Sequence, residues 1–117
     1  MRAPAATMTT HHPDLDRLAI EDVLAALGNP VRMLIVRELD SAGQPRTCGS
    51  LPVSVTKATA THHWRVLRES GITRERREGR TKLVELRRAE LDARFPGLLD
   101  VTLAATPPVP DQGAPET

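Results

Sequence analysis

One segment, Val55 to Gly71 (VTKATATHHWRVLRESG), constrains the fold more than any other part of this chain. Thr56 can cap a helix, because its hydroxyl accepts a hydrogen bond from a first-turn backbone N–H. Two stripes follow at helical spacing. The apolar stripe holds Ala60, Trp64 and Leu67, and the basic stripe holds Lys57, Thr61, Arg65 and Arg68. Ser70-Gly71 then ends the helix, since glycine readily adopts the left-handed conformation.

The distribution of charge decides between two interpretations of this helix, a DNA-binding helix and an ordinary surface helix. Residues 57–88 hold ten Lys/Arg against four Glu, a net charge of +6, whereas the rest of the chain has a net charge of −5. Such polarisation within one small domain favours a polyanionic partner that meets one face. The alternative is a solvated surface with local ion pairs.

The chain has room for one small domain, since 117 residues support a single hydrophobic core. Residues 1–13 lack hydrophobic periodicity, and we expect them to form a disordered N-terminal arm. Residues 106–117 carry four prolines and few apolar side chains, which predicts a disordered, proline-rich tail. The predicted folded domain is therefore residues 14–105.

Cysteine content and apolar runs narrow the class of protein further. The single cysteine, Cys48, excludes an internal disulfide and an all-cysteine metal cage within one chain. No apolar run approaches the ~18 residues of a membrane span, and the chain start lacks the apolar segment of a signal peptide. We expect a soluble, cytoplasmic protein with no membrane partner.

The segment before the capped helix predicts further helices and an irregular stretch. Residues 14–27 have helical periodicity and are expected to divide near Ile20 into a lead-in turn and a helix. Asn29-Pro30 begins a core helix that ends at Gly43, because asparagine caps well and proline is tolerated at the first helical position. Residues 44–54 have room only for a short helix or turn, around Thr47 to Leu51, which would complete a helix-turn-helix.

The segment after the capped helix changes period and predicts a β-hairpin. Residues 72–86 alternate charged and apolar side chains around Glu78-Gly79-Arg80, a glycine-centred break. A basic hairpin directly after a recognition-type helix is the wing of a winged helix, and its cations would neutralise phosphates. Alone, the same charges would also serve to keep a sheet edge soluble.

The last segment, residues 88–105, predicts a helix broken at Pro96, and it carries more apolar side chains than a chain end of this size needs. We interpret it as a dimer interface together with the first helix. The alternative is that the segment packs back on its own domain. The predicted interface residues are Leu18, Val23, Leu91, Phe95, Leu98, Leu99 and Val101.

Three motifs together resemble the ArsR-like family of bacterial winged-helix transcriptional regulators. They are LGNPVR at residues 27–32, HWRVLRESG at residues 63–71, and the wing turn at residues 78–80. The resemblance covers about residues 18–103. It implies a mainly α fold with a small β-hairpin in the order α-α-α-α-β-β-α. It also implies a homodimer that binds a near-palindromic operator in double-stranded DNA and represses transcription.

The chain departs from that family at the positions that sense metals in many members. A Cys-x-Cys pair is replaced by Thr47-Cys48-Gly49, which offers one soft ligand where a closed site wants three or four. The family's second metal site uses Asp and His on the last helix, and no histidine follows His63. We therefore expect no metal and no cofactor. Cys48 is either a small, partly buried residue or a redox switch, and any effector is unidentified.

Helix geometry predicts the DNA contacts. The first two turns would read base edges, where cations can donate to guanine and methyl groups can meet thymine. Side chains further along, together with the wing cations, would bind phosphates. The predicted base-contacting residues are Lys57, Ala58, Thr59, Thr61 and His62. The predicted backbone-contacting residues are Thr56, Arg65, Arg68, Arg76, Arg77, Arg80 and Lys82.

The adjacent histidines of this helix have different predicted environments. Side chains one residue apart on a helix point about 100° apart, so His62 and His63 do not easily face one metal ion. We expect His63 to pack under the recognition helix and His62 to be exposed.

Two other function classes stay open at this point. An enzyme is disfavoured, because the sequence has no glycine-rich phosphate loop, no carboxylate pair in an apolar setting and no supported Cys–His pairing. A winged helix that serves as a protein–protein interaction module is the alternative to a DNA-binding regulator.

Overall fold

The computed structural model describes residues 14–47 and 55–105, which contain one short 3-10 turn, five helices and three strands. The turn is Leu15–Arg17. The helices are α1 (Ile20–Leu27), α2 (Pro30–Ala42), α3 (Lys57–Glu69), α4 (Arg88–Arg94) and α5 (Leu98–Ala105). The strands are β1 (Arg46–Thr47), β2 (Thr73–Glu78) and β3 (Thr81–Leu86). The predicted arm and tail lie outside the described residues.

Helix α2 begins and ends where the sequence predicts. The side chain of Asn29 accepts hydrogen bonds from the backbone N–H groups of Val31, at 2.8 Å, and Arg32, at 3.2 Å. Pro30 occupies the first turn, where its missing N–H leaves no donor unsatisfied. Gly43 ends the helix with a φ of 66°, the left-handed conformation that favours glycine.

The wing is an antiparallel hairpin formed by β2 and β3, as predicted. Pairing runs from Thr73 opposite Leu86 to Glu78 opposite Thr81, which leaves a two-residue turn. Gly79 has a φ of 65°, and no described residue other than glycine has a positive φ. A positive φ at the first turn position alone is the pattern of a type II′ turn, whose twist matches that of the flanking strands.

Strand β1 was not predicted. Arg46 and Thr47 pair antiparallel with Val84 and Leu83 of β3, so the sheet order is β1-β3-β2. The expected helix or turn from Thr47 to Leu51 is thus wrong at Thr47, and the rest of it, with Cys48, lies outside the described residues. The physical reason is long-range, because β1 covers backbone groups of β3 that would otherwise form an open edge.

Helices α4 and α5 confirm the predicted break at Pro96. Helix α4 ends at Arg94, α5 begins at Leu98, and Gly97 between them has a φ of 84°. Arg94 donates two hydrogen bonds to the carbonyl oxygen of Leu18, at 3.3 and 3.2 Å, and so ties α4 to the start of the domain.

A single apolar cluster joins the first turn, the helices and the sheet. Its buried members are Leu18, Val23, Ala26, Leu27, Ile35, Val36, Leu39, Leu67, Ile72, Val84, Leu91 and Leu99. Trp64 and Phe95 are partly buried against it. None of the helices in the part of the chain that the structure describes is long and apolar enough to cross a membrane.

Four of the seven residues predicted for the dimer interface belong to this core. Leu18, Val23, Leu91 and Leu99 are each at most 2% exposed, so they pack within one chain and offer no surface to a partner. The alternative interpretation, that this segment packs on its own domain, is correct for them. The sequence could not separate the two, because an apolar side chain has the same pattern in a core and in an interface.

Gly71 makes the junction between α3 and the wing possible. Its φ is 90°, and a Cβ atom added there would lie 2.1 Å from Cδ2 of Leu18. Immediately after it, the N–H of Ile72 donates to the carbonyl of Leu67 at 3.0 Å. The recognition-type helix and the hairpin are therefore joined by a tight turn packed on the core.

Candidate nucleic-acid interface

The N-terminal half of α3 is capped and exposed. The hydroxyl oxygen of Thr56 accepts a hydrogen bond from the N–H of Thr59 at 3.2 Å, which confirms the predicted cap. The hydroxyl of Thr61 donates to the carbonyl of Lys57 at 3.0 Å. All five residues predicted to contact bases are exposed: Lys57, Ala58, Thr59, Thr61 and His62.

The opposite side of α3 is anchored through His63 and Leu67, its two buried residues. The Nδ1 atom of His63 lies 3.1 Å from a guanidinium nitrogen of Arg32 at the start of α2. The Nε atom of Arg32 donates to the carbonyl of Ala26 at 2.6 Å. This contact links α1, α2 and α3, and it confirms that His63 is packed and His62 exposed.

Burial lowers the pKa of His63, and the positive charges of Arg32 and His62 lower it further. Arg32 can only donate, so Nδ1 of His63 must accept, which requires a neutral ring with its proton on Nε2. The lowered pKa and the hydrogen bond therefore favour the same protonation state.

The fold neutralises most of the positive charge concentrated in residues 57–88. Six of the ten cations form ion pairs within 4.0 Å. These six are Arg68, Arg74, Arg76, Lys82, Arg87 and Arg88. The local ion pairs of the solvated-surface interpretation thus occur at these six side chains, although Arg87 is buried and Arg68 is only 19% exposed.

The other four cations of residues 57–88 lie outside these ion pairs. Lys57, Arg65, Arg77 and Arg80 are exposed and form no ion pair with any residue that the structure describes. Two of them lie on α3 and two at the end of the wing hairpin. Within residues 57–88, the exposed cations that form no ion pair with a described residue therefore lie on α3 and on the wing. These are the two elements that the sequence predicts to meet DNA.

The predicted backbone-contacting residues divide into two groups. Thr56, Arg65, Arg77 and Arg80 are exposed. Arg76, Lys82 and Arg68 instead contact carboxylates of the chain itself. Arg76 lies 3.2 Å from Glu78, Lys82 lies 3.6 Å from Glu75, and Arg68 is only 19% exposed and lies 3.6 Å from Glu75.

Two residues of this region were missed by the sequence analysis, Arg32 and Glu75. The alternation of β2 carries the signal for Glu75, since Thr73 and Glu75 face the core while the residues between and after them are less buried. A glutamate on the core-facing side of a strand is unusual and marks a buried charge that needs partners. Arg32 ends the LGNPVR motif at residues 27–32, but the motif does not indicate that its side chain contacts His63.

The described residues contain no cluster of side chains that could hold a metal ion. Among residues 14–47 and 55–105, no group of three or more His, Cys, Asp or Glu side chains is arranged to hold a metal ion. Cys48, the one soft ligand that the sequence offers, lies outside these ranges.

A capped helix with an exposed basic start, followed by a tight turn and a basic antiparallel hairpin, defines a winged helix-turn-helix protein. Residues 27–76 match the sequence profile of a helix-turn-helix domain family. The chain is also similar to an uncharacterized HTH-type transcriptional regulator, YceK, of Bacillus subtilis (strain 168). The two are 35% identical over 80 residues, which cover 67% of this chain and 80% of the relative.

The chain belongs to the family of helix-turn-helix transcriptional regulators, and it is accordingly a DNA-binding regulator. Among solved structures, it is similar to the transcriptional repressor BigR from Xylella fastidiosa. The TM-score is 0.55 with 26% sequence identity, over 70% of this chain and 84% of the other. The relatives found are regulators of transcription and not enzymes.

Proposed function

We propose that this chain is a sequence-specific transcriptional repressor of the ArsR-like type that binds a near-palindromic operator as a homodimer. One observation carries the proposal: four cations on α3 and at the end of the wing, Lys57, Arg65, Arg77 and Arg80, are exposed and form no ion pair with any residue that the structure describes. Similarity to a protein described as a transcriptional repressor supports repression over activation.

The start of α3 is proposed to read bases. Lys57 would donate to guanine O6 and N7 in the major groove. The hydroxyl hydrogens of Thr56 and Thr61 are engaged in hydrogen bonds within the helix start, which favours methyl contacts of Thr61 with thymine. Ala58, Thr59 and His62 complete the proposed reading surface, since all are exposed on the same half of the helix.

Phosphate binding is proposed for the exposed cations beyond this surface and for the cap residue. Arg65 would bind the backbone beside the major groove, and Arg77 and Arg80 would bind it from the end of the wing. Thr56 lies at the helix N-terminus, where backbone N–H groups favour an anion. Arg76 and Lys82, which already contact glutamates, would make the weaker contributions.

The dimer is proposed to form through apolar side chains that the core leaves exposed. Ile20, Leu24 and Val101 are the exposed large hydrophobic residues among those described. A groove of about 430 Å³ lies between Ile20 and the segment from Phe95 to Val101 and includes Leu98. In a dimer that reads two successive half-sites, the two α3 helices would lie about 34–36 Å apart, one turn of DNA.

The proposed branch is one that lacks the Cys-x-Cys metal motif of many ArsR-like proteins. The proposed domain comprises residues 14–105, supported by the apolar cluster that extends from Leu18 to Leu99. Residues 1–13 and 106–117 are proposed to be an arm and a tail outside it.

A binding titration tests the proposed function. The protein is titrated against its own promoter DNA and against a scrambled duplex of the same length, at 50 and 200 mM salt. We expect tighter binding to the promoter, and an affinity for both duplexes that falls as salt rises, because each phosphate contact releases counterions. No detectable binding at low salt would favour the alternative, a protein–protein interaction module.

A further inference from the structure

Glu75 is a buried carboxylate that the proposed base and phosphate contacts leave unexplained. It lies in β2, opposite Val84 of β3, and its side chain is 1% exposed. Together with Thr73 it faces the core, while Arg77, two residues on, is exposed. Glu75 therefore lies where the apolar face of the hairpin gives way to the basic tip.

Two cations from different elements approach one oxygen of this carboxylate. A guanidinium nitrogen of Arg68, in the last turn of α3, lies 3.6 Å from Oε1 of Glu75. The Nζ atom of Lys82, in β3, lies 3.6 Å from the same oxygen. The carboxylate thus bridges the recognition-type helix and the strand that returns from the wing tip.

We propose that Glu75 is a positioning residue for DNA binding, which sets the orientation of the wing relative to α3 through Arg68 and Lys82. The inference rests on the proposed function, because it assumes that α3 and the wing contact one DNA duplex together. In this arrangement Arg68 is part of the bridge and not a phosphate contact.

Burial and charge favour this role over a role in solubility. Moving a carboxylate out of water is unfavourable unless cations are held close to it. The buried Glu75 therefore favours structures in which Arg68 and Lys82 stay beside it. Glu78 of the same strand offers the contrast, since its side chain is 61% exposed and contacts Arg76 of its own strand at 3.2 Å. Glu78 joins no second element among the described contacts.

The contrast supplies a matched pair of variants, Glu75→Gln and Glu78→Gln. Each removes one negative charge from β2, and each leaves a side chain of similar shape. If only charge matters, both variants bind DNA more tightly than the wild type, because a repulsion of phosphates is removed. If Glu75 positions the wing, the two variants change affinity in opposite directions.

The experiment measures the affinity of wild type, E75Q and E78Q for the promoter duplex across a series of salt concentrations. We expect E75Q to bind at least about fivefold more weakly, with the slope of log K against log salt reduced by about 1 to 2, the loss of one or two phosphate contacts. E78Q should bind as tightly as the wild type or more tightly. E75Q should keep the wild-type ratio of promoter to scrambled binding, because base reading by α3 is intact.

Two controls separate positioning from loss of folding. Circular dichroism establishes the folded fraction of each variant. The affinity of each variant is then calculated from the concentration of folded protein alone. Arg68→Met retains the apolar part of the side chain, and we expect it to weaken DNA binding as E75Q does. The double variant R68M/E75Q should bind DNA no more weakly than either single variant, because both substitutions break the same contact.

The outcomes distinguish the inference from the proposed function. If the wild type binds in a salt-dependent manner and E75Q binds as well as E78Q, the positioning role is wrong and the proposed function stands. If the folded E75Q protein loses promoter preference as well as affinity, Glu75 acts on base reading and the inference is again wrong. If the wild type itself does not bind, the proposed function and the inference fail together.

Discussion

At the scale of the residue, His63 shows how one side chain connects the core to the DNA-facing helix. It is buried beneath α3, with His62 exposed beside it and the two ring centroids 5.6 Å apart. Its Nδ1 atom accepts a hydrogen bond from Arg32, which also donates to the carbonyl of Ala26 at the end of α1. Protonation of His63 would place a positive ring against the positive guanidinium of Arg32, 3.1 Å away.

A pH dependence of stability follows from this contact. The pKa of His63 is lowered in the folded protein, whereas an unfolded histidine titrates near about 6.5. The unfolded chain therefore binds the proton more readily than the folded chain. The contribution of His63 to the free energy of unfolding is fully present above about pH 6.5, and it decreases as the pH falls toward the lowered pKa of the folded protein. Thermal unfolding between pH 8 and pH 5 should show this decrease.

The matched variants are His63→Asn and His62→Asn. Asparagine keeps an acceptor near the position of Nδ1 but does not titrate, so we expect H63N to have a flatter profile of Tm against pH. H62N should keep most of the wild-type slope, because His62 is the smallest of the three causes that lower the pKa of His63. An H63N profile that is parallel to the wild type over this range would contradict the assignment of the effect to His63.

At the scale of the element, α3 and the wing differ in what they are proposed to recognise. Helix α3 presents one exposed lysine within a surface of small side chains and a histidine, which suits the edges of bases. The wing presents Arg80 in its two-residue turn and Arg77 near the end of β2, which suits phosphates. This division gives the two elements different signatures in a binding experiment.

Alanine substitutions separate those signatures. We expect Lys57→Ala to change the preference among operator variants, because a base contact discriminates by about 1–3 kcal/mol per position. Arg65→Ala and Arg80→Ala should each weaken binding to all duplexes by a similar factor and reduce the salt slope by about 1. Competition titrations with single-base operator variants provide the measurement. Loss of sequence preference from Arg80→Ala alone would overturn the division.

At the scale of the whole molecule, the fold neutralises some cations of residues 57–88 by ion pairs and leaves others exposed. Acidic side chains from other segments, among them Asp40, Glu90 and Asp100, pair with cations of the basic half. Arg88 contacts Asp40 of α2 at 3.0 Å and so ties α4 to the core helix. Outside these pairs, exposed cations remain on α3 and the wing, and an apolar surface remains around Val101.

Val101 provides the test of the proposed dimer. Its side chain is 69% exposed, so Val101→Glu should leave the domain folded while placing a charge in the apolar contact between copies. By sedimentation velocity at micromolar concentration, we expect the wild type to be a dimer and V101E a monomer. Ser41→Glu, on the exposed side of α2, is the control and should remain dimeric. A wild-type monomer at this concentration would contradict the proposed interface.

The sequence by itself determined the features whose physics is local. Asn29-Pro30 and Thr56 begin helices because their hydrogen bonds reach only two or three residues, and Gly43 and Gly79 end an element because the backbone there needs a positive φ. The order of helices around a basic hairpin, and hence the winged helix-turn-helix class, follows from these signals and from hydrophobic period.

Only the tertiary structure decided which of several chemically similar side chains are buried, paired in a sheet or joined in an ion pair. It paired Arg46 and Thr47 with β3, buried Leu91 within one chain, and joined Arg68 to Glu75. Each of these depends on contact between segments distant along the chain, where composition and period are the same for a core, an interface or a DNA-facing surface. The partners of a charge are set by how the elements pack, and packing is a property of the whole fold.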